Sequence, residues 1–319
     1  MRHAVVRLSH GLVVLLALSV LTFLFAELAP GDPFAEMRLN PRISPGAVAA
    51  LRTRYGLDDP LPVRYLRWLR SVASGEMGWS FLYDAPAGPL LGVRARNTLL
   101  LAVPATLVAW LLALPLGVQA AARRGGWGDR FGQAAGSLLL AVPELVLALG
   151  ALALAAGTGV LPAGGMVSLG FAEMGFWGRA RDLAAHLALP VAVLVLTALP
   201  VLVPHVRAAV AEALDAPFVL AARGRGVPRL RLLYGHALRA AAGPLVSLLG
   251  LSIAGLLSGS LLVEVVLSWP GLGPLLVQAI LARDLHVVVG AVLLSGLFLV
   301  AGNLAADLLL AWADPRVRE

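Results

Sequence analysis

The chain has 319 residues and a formal net charge of +7; 59% of its residues are apolar and only 13% charged, and its mean hydropathy is +0.86. Soluble domains average about 45–50% apolar and about 25% charged residues, so this composition excludes an ordinary soluble globule and predicts an all-α polytopic membrane protein. There is no cysteine and no lysine, which excludes thiol catalysis, thiolate metal sites and disulfides, and also a Walker-type nucleotide site, whose lysine must reach the β/γ-phosphates.

A spanning helix needs about 20 mostly apolar residues, and the charges mark the edges of such runs. Arg7 to Glu27 encloses the first. Arg2 and Arg7 resemble the basic head of a signal peptide. However, "FAELAPGDP" lacks a small-x-small cleavage site, and the run is long enough to span, so a retained helix is expected. "APGDP" (29–33) then breaks it. Residues 30–96 form the only sizeable soluble part, predicted to face outward, and residues 1–96 make the first region. Within it, "LPVRYLRWLRSVAS" places Leu61, Tyr65, Trp68, Leu69 and Val72 on one helical face and Arg64, Arg67 and Arg70 on another. Such a helix is expected on the headgroup layer, with docking to a partner protein as the alternative. "GEMGWSF" (75–81) reads as a turn and a short extended piece.

Residues 97–312 form the membrane core. Arg96–Arg123, Asp182–Arg207, Arg239–Glu264 and Asp284–Asp307 each enclose an apolar run, and a further run from Phe131 to about Gly157 carries only Glu144. This predicts six spans, followed by a tail over 313–319. Between the fifth and sixth, "SWPGLGPLLVQAILARD" turns at 270–273 and starts a helix near Pro274 that is too short to span. Prolines and glycines inside the runs (Pro104, Pro115, Pro143, Pro190, Pro200, Pro204, Gly250, Gly255, Gly259) suit a jointed, closely packed bundle around a cavity.

A pI near 11 would suit a nucleic-acid binder, but arginine collects in the cytoplasmic loops of membrane proteins whatever their function. Arg2, Arg7, Arg123, Arg124, Arg130, the 207–239 loop, Arg316 and Arg318 fall on one side if the N-terminus is cytoplasmic. The short opposite loops hold Arg179, Arg181 and Arg283, and the 30–96 segment exceeds the length of about 60 residues to which the rule applies. Both termini are therefore expected in the cytoplasm, with the bilayer and not nucleic acid as the partner.

The 207–239 loop is distinctive. Asp215-Ala216-Pro217 looks like a capped helix start, Gly224 and Gly226 like its end, and Pro228 like the start of a second arm carrying Leu230, Leu233 and Leu238. Four arginines (Arg223, Arg225, Arg229, Arg231) stud the elbow. Its shape suits helix-in-groove docking to another protein. Arginines that only bind anionic lipid would need neither elbow nor caps.

At this point the chain resembles the B-type inner-membrane permease subunit of dipeptide/oligopeptide/nickel-class ABC importers. The resemblance is carried by "LAPGDPFAEM", "YGLDDPLPVRYLRWL", "GEMGWSF", "NTLLLAVPATL", "EVVLSWPGLGPLLVQAILARD" and "DLLLAWADPRVR". The family's coupling loop, E-A-A-x3-G-x9-I-x-L-P, falls on Leu220, Ala221 and Ala222, then Gly226, then His236, Leu238 and Arg239, with Leu220, His236 and Arg239 departing from the pattern. Together with Arg223 and Arg225 these form the implied ATPase-coupling site. The resemblance implies a non-enzymatic subunit of the bacterial-type inner membrane that binds no cofactor itself, ATP and magnesium residing on partners. Those partners would be a homologous second permease, two cytoplasmic ATPases and an extracytoplasmic solute-binding protein. The implied solutes are di- or oligopeptides, with nickel or a metal chelate as the alternative.

Acids within spans are costly and so are candidates for function. Glu144, after Pro143, either lines the translocation path or is satisfied inside the bundle. Glu27, Glu264, Asp284 and Asp307 sit near span ends, where solvent is expected to reach them, and His186 and His205 are expected to be interfacial, not metal ligands. A stand-alone secondary transporter would need inverted repeats of broken helices. An intramembrane hydrolase would need a nucleophile–base pair or metal ligands within spans. The sequence shows neither arrangement.

Overall fold

A computed structural model describes residues 2–28, 46 and 59–313. The breaker at 29–33, the segment 314–319 and the side chains of Glu27 and Asp307 lie outside what it describes. In chain order the elements are α1 (Arg2–Leu28), α2 (Leu61–Ala73), β1 (Trp79–Ser80), β2 (Ala85–Pro86), α3 (Ala87–Ala122), α4 (Trp127–Ala141), α5 (Glu144–Thr158), α6 (Phe176–Leu214), α7 (Pro217–Gly224), α8 (Ala242–Val266), α9 (Leu272–Leu281) and α10 (Leu285–Ala313). Among the described residues, α1, α3, α6, α8 and α10 are long and apolar enough to cross a membrane, and α4 with α5 makes a sixth span if the bent pair is one.

The run over 131–157 is broken, not continuous: α4 and α5 meet at 95°. The cause is local. Val142 is extended (φ −88, ψ 118), because the proline ring that follows crowds it out of the helical region. Pro143 (φ −58) then leads into α5. Two contacts orient the pair. Arg124, just before α4, donates to Asp215 at the end of α6 (2.9 Å). Beyond α5, the Gly165 N–H donates to the Leu267 carbonyl at the end of α8 (3.0 Å), on the stretch that leads into the start of α6. The bent pair thus begins near one end of α6 and finishes near the other.

The chain forms two compact units, residues 1–97 with 271–298, and residues 98–270 with 299–319. In the first, the predicted apolar face of α2 packs inward. Trp68 is buried against Phe23 of α1 and Val289 of α10, with Leu61, Tyr65, Leu69 and Val72 beside it. Ser19 and Tyr65 share a hydrogen bond (2.9 Å). That face is therefore occupied by protein and is not laid on headgroups. Asp284 is also buried, contrary to the expectation of solvent access. Its Oδ2 accepts from Ser80 Oγ (2.6 Å) and the Leu82 N–H (3.1 Å), and Oδ1 accepts from the Val287 N–H (3.4 Å). One carboxylate therefore caps α10 and holds the β1–β2 hairpin, whose strands pair antiparallel.

In the second unit, the core gathers Leu101, Ala105, Ala148, Leu194, Leu256, Val263 and Trp269 from α3, α5, α6, α8 and the turn after α8. Glu264 is buried as well, and its carbonyl accepts from the Trp269 N–H (2.8 Å); the predicted solvent access is absent here too. His186 turns inward, its Nδ1 donating to the Asp182 carbonyl (2.9 Å). At 39 residues, α6 is about 58 Å long, well beyond the hydrocarbon thickness of about 30 Å. If it crosses the bilayer upright, its surplus must project beyond the hydrocarbon layer.

Candidate functional site

The predicted elbow is present. Pro217 opens α7 in the first turn, where its missing N–H costs nothing, and α7 ends at Gly224. Gly226 takes φ +78, a left-handed conformation that suits glycine because it has no Cβ. Asp215 does not cap this helix. Ala216 is the N-cap, with no side-chain hydrogen bond, while the Asp215 carboxylate accepts from Arg124. After Pro228 the second arm runs as a π-helical turn, Arg231–Ala237, before α8. Such wide turns are rare and are frequently found at functional sites.

The elbow is anchored from beneath. Val219, Leu232, Leu233 and Ala237 are buried, the last two among Val118, Ala121, Val206, Val210 and Ala213 of α3 and α6. Arg229 donates to the Ala122 carbonyl at the C-terminal end of α3 (3.2 Å), where unpaired carbonyls favour a cation. The outer surface is the opposite in character. Phe218 is 55% exposed, Leu220 50% and Leu230 72%, and Arg223, Arg225 and Arg231 are exposed around them. Of the other predicted coupling residues, Ala221, Gly226 and Arg239 are exposed, and Ala222, His236 and Leu238 are half-buried. His236 is held by Nδ1 donating to the Arg231 carbonyl (3.1 Å).

Above the elbow lies an ion pair that sequence reading missed. Asp129 in the first turn of α4 is buried, and its two oxygens accept from Arg207 Nε (2.7 Å) and Nη2 (2.8 Å), with the Gly125 N–H and Gln133 Nε2 completing its shell. The pair lines a cavity of about 590 Å³ together with Arg123, Gln119 and apolar residues of α3, α4 and α6. Its only sequence trace is an acid opening a helix with glutamine four residues on. The partner arginine lies 78 residues away, and no local pattern points to it.

Glu144 opens α5 and lines a second cavity, of about 430 Å³, with Thr197 and His205 of α6 and Ser252, Gly255 and Gly259 of α8. Its Oε1 is shielded from solvent and has no hydrogen-bond partner among the described residues. Gly259 makes room for it, since a Cβ there would lie 2.7 Å from Oε1.

Comparison with known proteins agrees with this architecture along the chain. Residues 113–319 match the family described as the binding-protein-dependent transport system inner membrane component, and residues 1–103 match the N-terminal family of the same membrane components. The chain is 33% identical over 309 residues to the oligopeptide transport system permease protein AppB of Bacillus subtilis (strain 168), with 95% of each chain covered. It is 34% identical over 330 residues to the dipeptide transport system permease protein DppB of Escherichia coli (strain K12), covering 97% of this chain and 96% of that one. Among solved structures, a chain of the inward-facing MetNI methionine ABC transporter superposes with a TM-score of 0.58 at 17% identity, over 70% of this chain and 96% of that one. That likeness speaks for the fold alone. A helical chain of five to six spans, with a structured elbow between two of them and family matches over its length, belongs to the inner-membrane components of binding-protein-dependent transport systems.

Proposed function

We propose that this chain is one permease half of an ATP-driven importer for di- or oligopeptides, and that the elbow over 216–239 is where a separate ATPase grips it. A second, homologous permease would complete the path. Two cytoplasmic ATPases carrying ATP and magnesium would drive it, and an extracytoplasmic binding protein would deliver the solute. In this reading both termini face the cytoplasm, and residues 1–96, 97–312 and 313–319 serve as entry region, translocating core and tail. The peptide assignment is supported by the relatives named above.

The observation that carries the coupling assignment is the pairing of a rigid base with a greasy outer face. Phe218, Leu220 and Leu230 stand in an arginine-rich surface beyond the apolar spans, where neither lipid tails nor this chain's own core covers them. Exposed apolar patches rimmed by polar groups mark protein interfaces, and Leu220, Ala221, Ala222, Arg223, Arg225, Gly226, His236, Leu238 and Arg239 fall within or beside this one. Replacing Phe218 and Leu230 with serine tests it. The detergent-extracted permease is expected to lose the co-purifying ATPase while its own thermal unfolding stays unchanged. Undiminished recovery of the ATPase with the doubly substituted chain would refute the assignment.

A further inference from the structure

We infer that Glu144 is the cation-recognising group of a solute subsite, and that its ligand is the protonated α-amino group of a short peptide. The inference rests on the peptide reading above and extends it to a single carboxylate. A carboxylate removed from water is costly unless a donor or a cation meets it. The neighbouring donors do not meet it here. Thr197 Oγ1 donates to the Leu194 carbonyl, Ser252 Oγ to the Leu249 carbonyl, and His205 Nδ1 to the Val201 carbonyl. Among the described residues Oε1 is left with no partner, and Gly259 keeps the space beside it open.

The lining selects the kind of cation. Among the described residues around the cavity Glu144 is the only acid, whereas a bare divalent ion of the hard type asks for six or more oxygen ligands. An ammonium group needs one carboxylate and a few neutral acceptors. The dimensions suit a peptide. The α6 stretch lining the cavity runs from Leu194 to His205, about 16 Å along the helix, and an extended tripeptide reaches about 10 Å. A volume of about 430 Å³ also falls within the usual range for small-molecule sites. Beyond the carboxylate the lining is mostly aliphatic, so it would hold varied side chains while fixing the one group that every free peptide shares.

The test is a double-perturbation cycle on the complete permease–ATPase complex, purified without binding protein and nucleotide, with radiolabelled trialanine and N-acetyltrialanine as probes. Glu144→Gln is expected to weaken trialanine binding about ten-fold or more, as the loss of a charge-assisted contact would. Acetylation is expected to weaken binding to the unaltered complex by a similar factor. Combined, the two changes should cost no more than either alone, because they remove the same contact. Additive losses, or trialanine binding unchanged by Glu144→Gln, overturn the inference. ATP hydrolysis stimulated by loaded binding protein reports assembly. If Glu144→Gln abolishes it, Gly259→Ala, which crowds Oε1 and keeps the charge, takes its place in the cycle with the same expectation. Uptake of trialanine into proteoliposomes by the unaltered importer separates the two levels. Uptake with an indifferent Glu144 defeats this inference alone, and an importer that moves no peptide defeats the peptide reading with it.

Discussion

Asp129 shows how a charge can be hidden in a membrane bundle. Its side chain is 1% exposed and that of Arg207 28%, so the acid is enclosed by protein and the arginine only in part. Removing one member of such a pair strands the other. Truncating a partner of a buried ion pair typically costs about 3–5 kcal/mol, and the low end applies here because Arg207 is only partly enclosed by protein. Asp129→Ala should therefore lower the unfolding midpoint of the purified chain in detergent, followed by tryptophan fluorescence. Adding Arg207→Ala should cost less than the sum of the two single changes; strict additivity would show that the contact contributes nothing. In the sequence Arg207 stands out only as the edge of an apolar run and Asp129 not at all, because the pairing is tertiary. Asp284 was more legible than the reading allowed. An acid directly before an apolar run is an N-cap signal as well as a span boundary; its second task, holding Ser80 and Leu82, has no sequence trace.

At the scale of elements, the elbow was readable because each of its parts is a short-range signal. Pro217 can only open a helix, and Gly226 supplies a left-handed turn that other residues resist. The two glycines of this loop differ physically in a way that spacing did not reveal. Gly224 closes α7 without a positive φ, while Gly226 sits at φ +78, and neither has atoms near where a Cβ would lie. Alanine at 226 should thus cost about 1–2 kcal/mol of left-handed strain, whereas alanine at 224 should stabilise α7 by up to about 1 kcal/mol. Hydrogen exchange of the amides over 217–238 should quicken by about 5–30-fold in Gly226→Ala and slow in Gly224→Ala. Equal behaviour of the two variants would contradict the assigned turn. The break at Val142–Pro143 was harder to read, because hydropathy runs through it undisturbed. The amphipathicity of α2 was correct, but a helical stripe names no occupant, and this one faces Phe23 and Val289 instead of lipid.

For the molecule as a whole, the number of spans and the sidedness of the termini are one question. Counting only the straight helices gives five, which would leave the two ends of the chain on opposite sides. The answer turns on the bent pair. Arg124 ties its beginning to the end of α6 through Asp215, and Gly165, shortly after its end, bonds Leu267 on the stretch that leads to the start of α6. If α6 crosses the membrane, the bent pair must carry the chain across in the opposite direction, kink included. Six crossings would bring both termini to the arginine-rich side, as the charge asymmetry of the loops predicts. Because the chain has no cysteine of its own, single introduced cysteines report sidedness without background. Glu76→Cys and Leu169→Cys, both at exposed positions, should react with a membrane-impermeant maleimide applied to the outer face of intact cells. Arg123→Cys and Arg225→Cys should react only in inverted vesicles. Labelling at 169 from the cytoplasmic side, with 76 labelled from outside, would mean that α4 and α5 dip into the bilayer and return. The five-span arrangement would then hold, and the elbow would lie on the outer face, opposite the N-terminus, where no cytoplasmic ATPase could reach it.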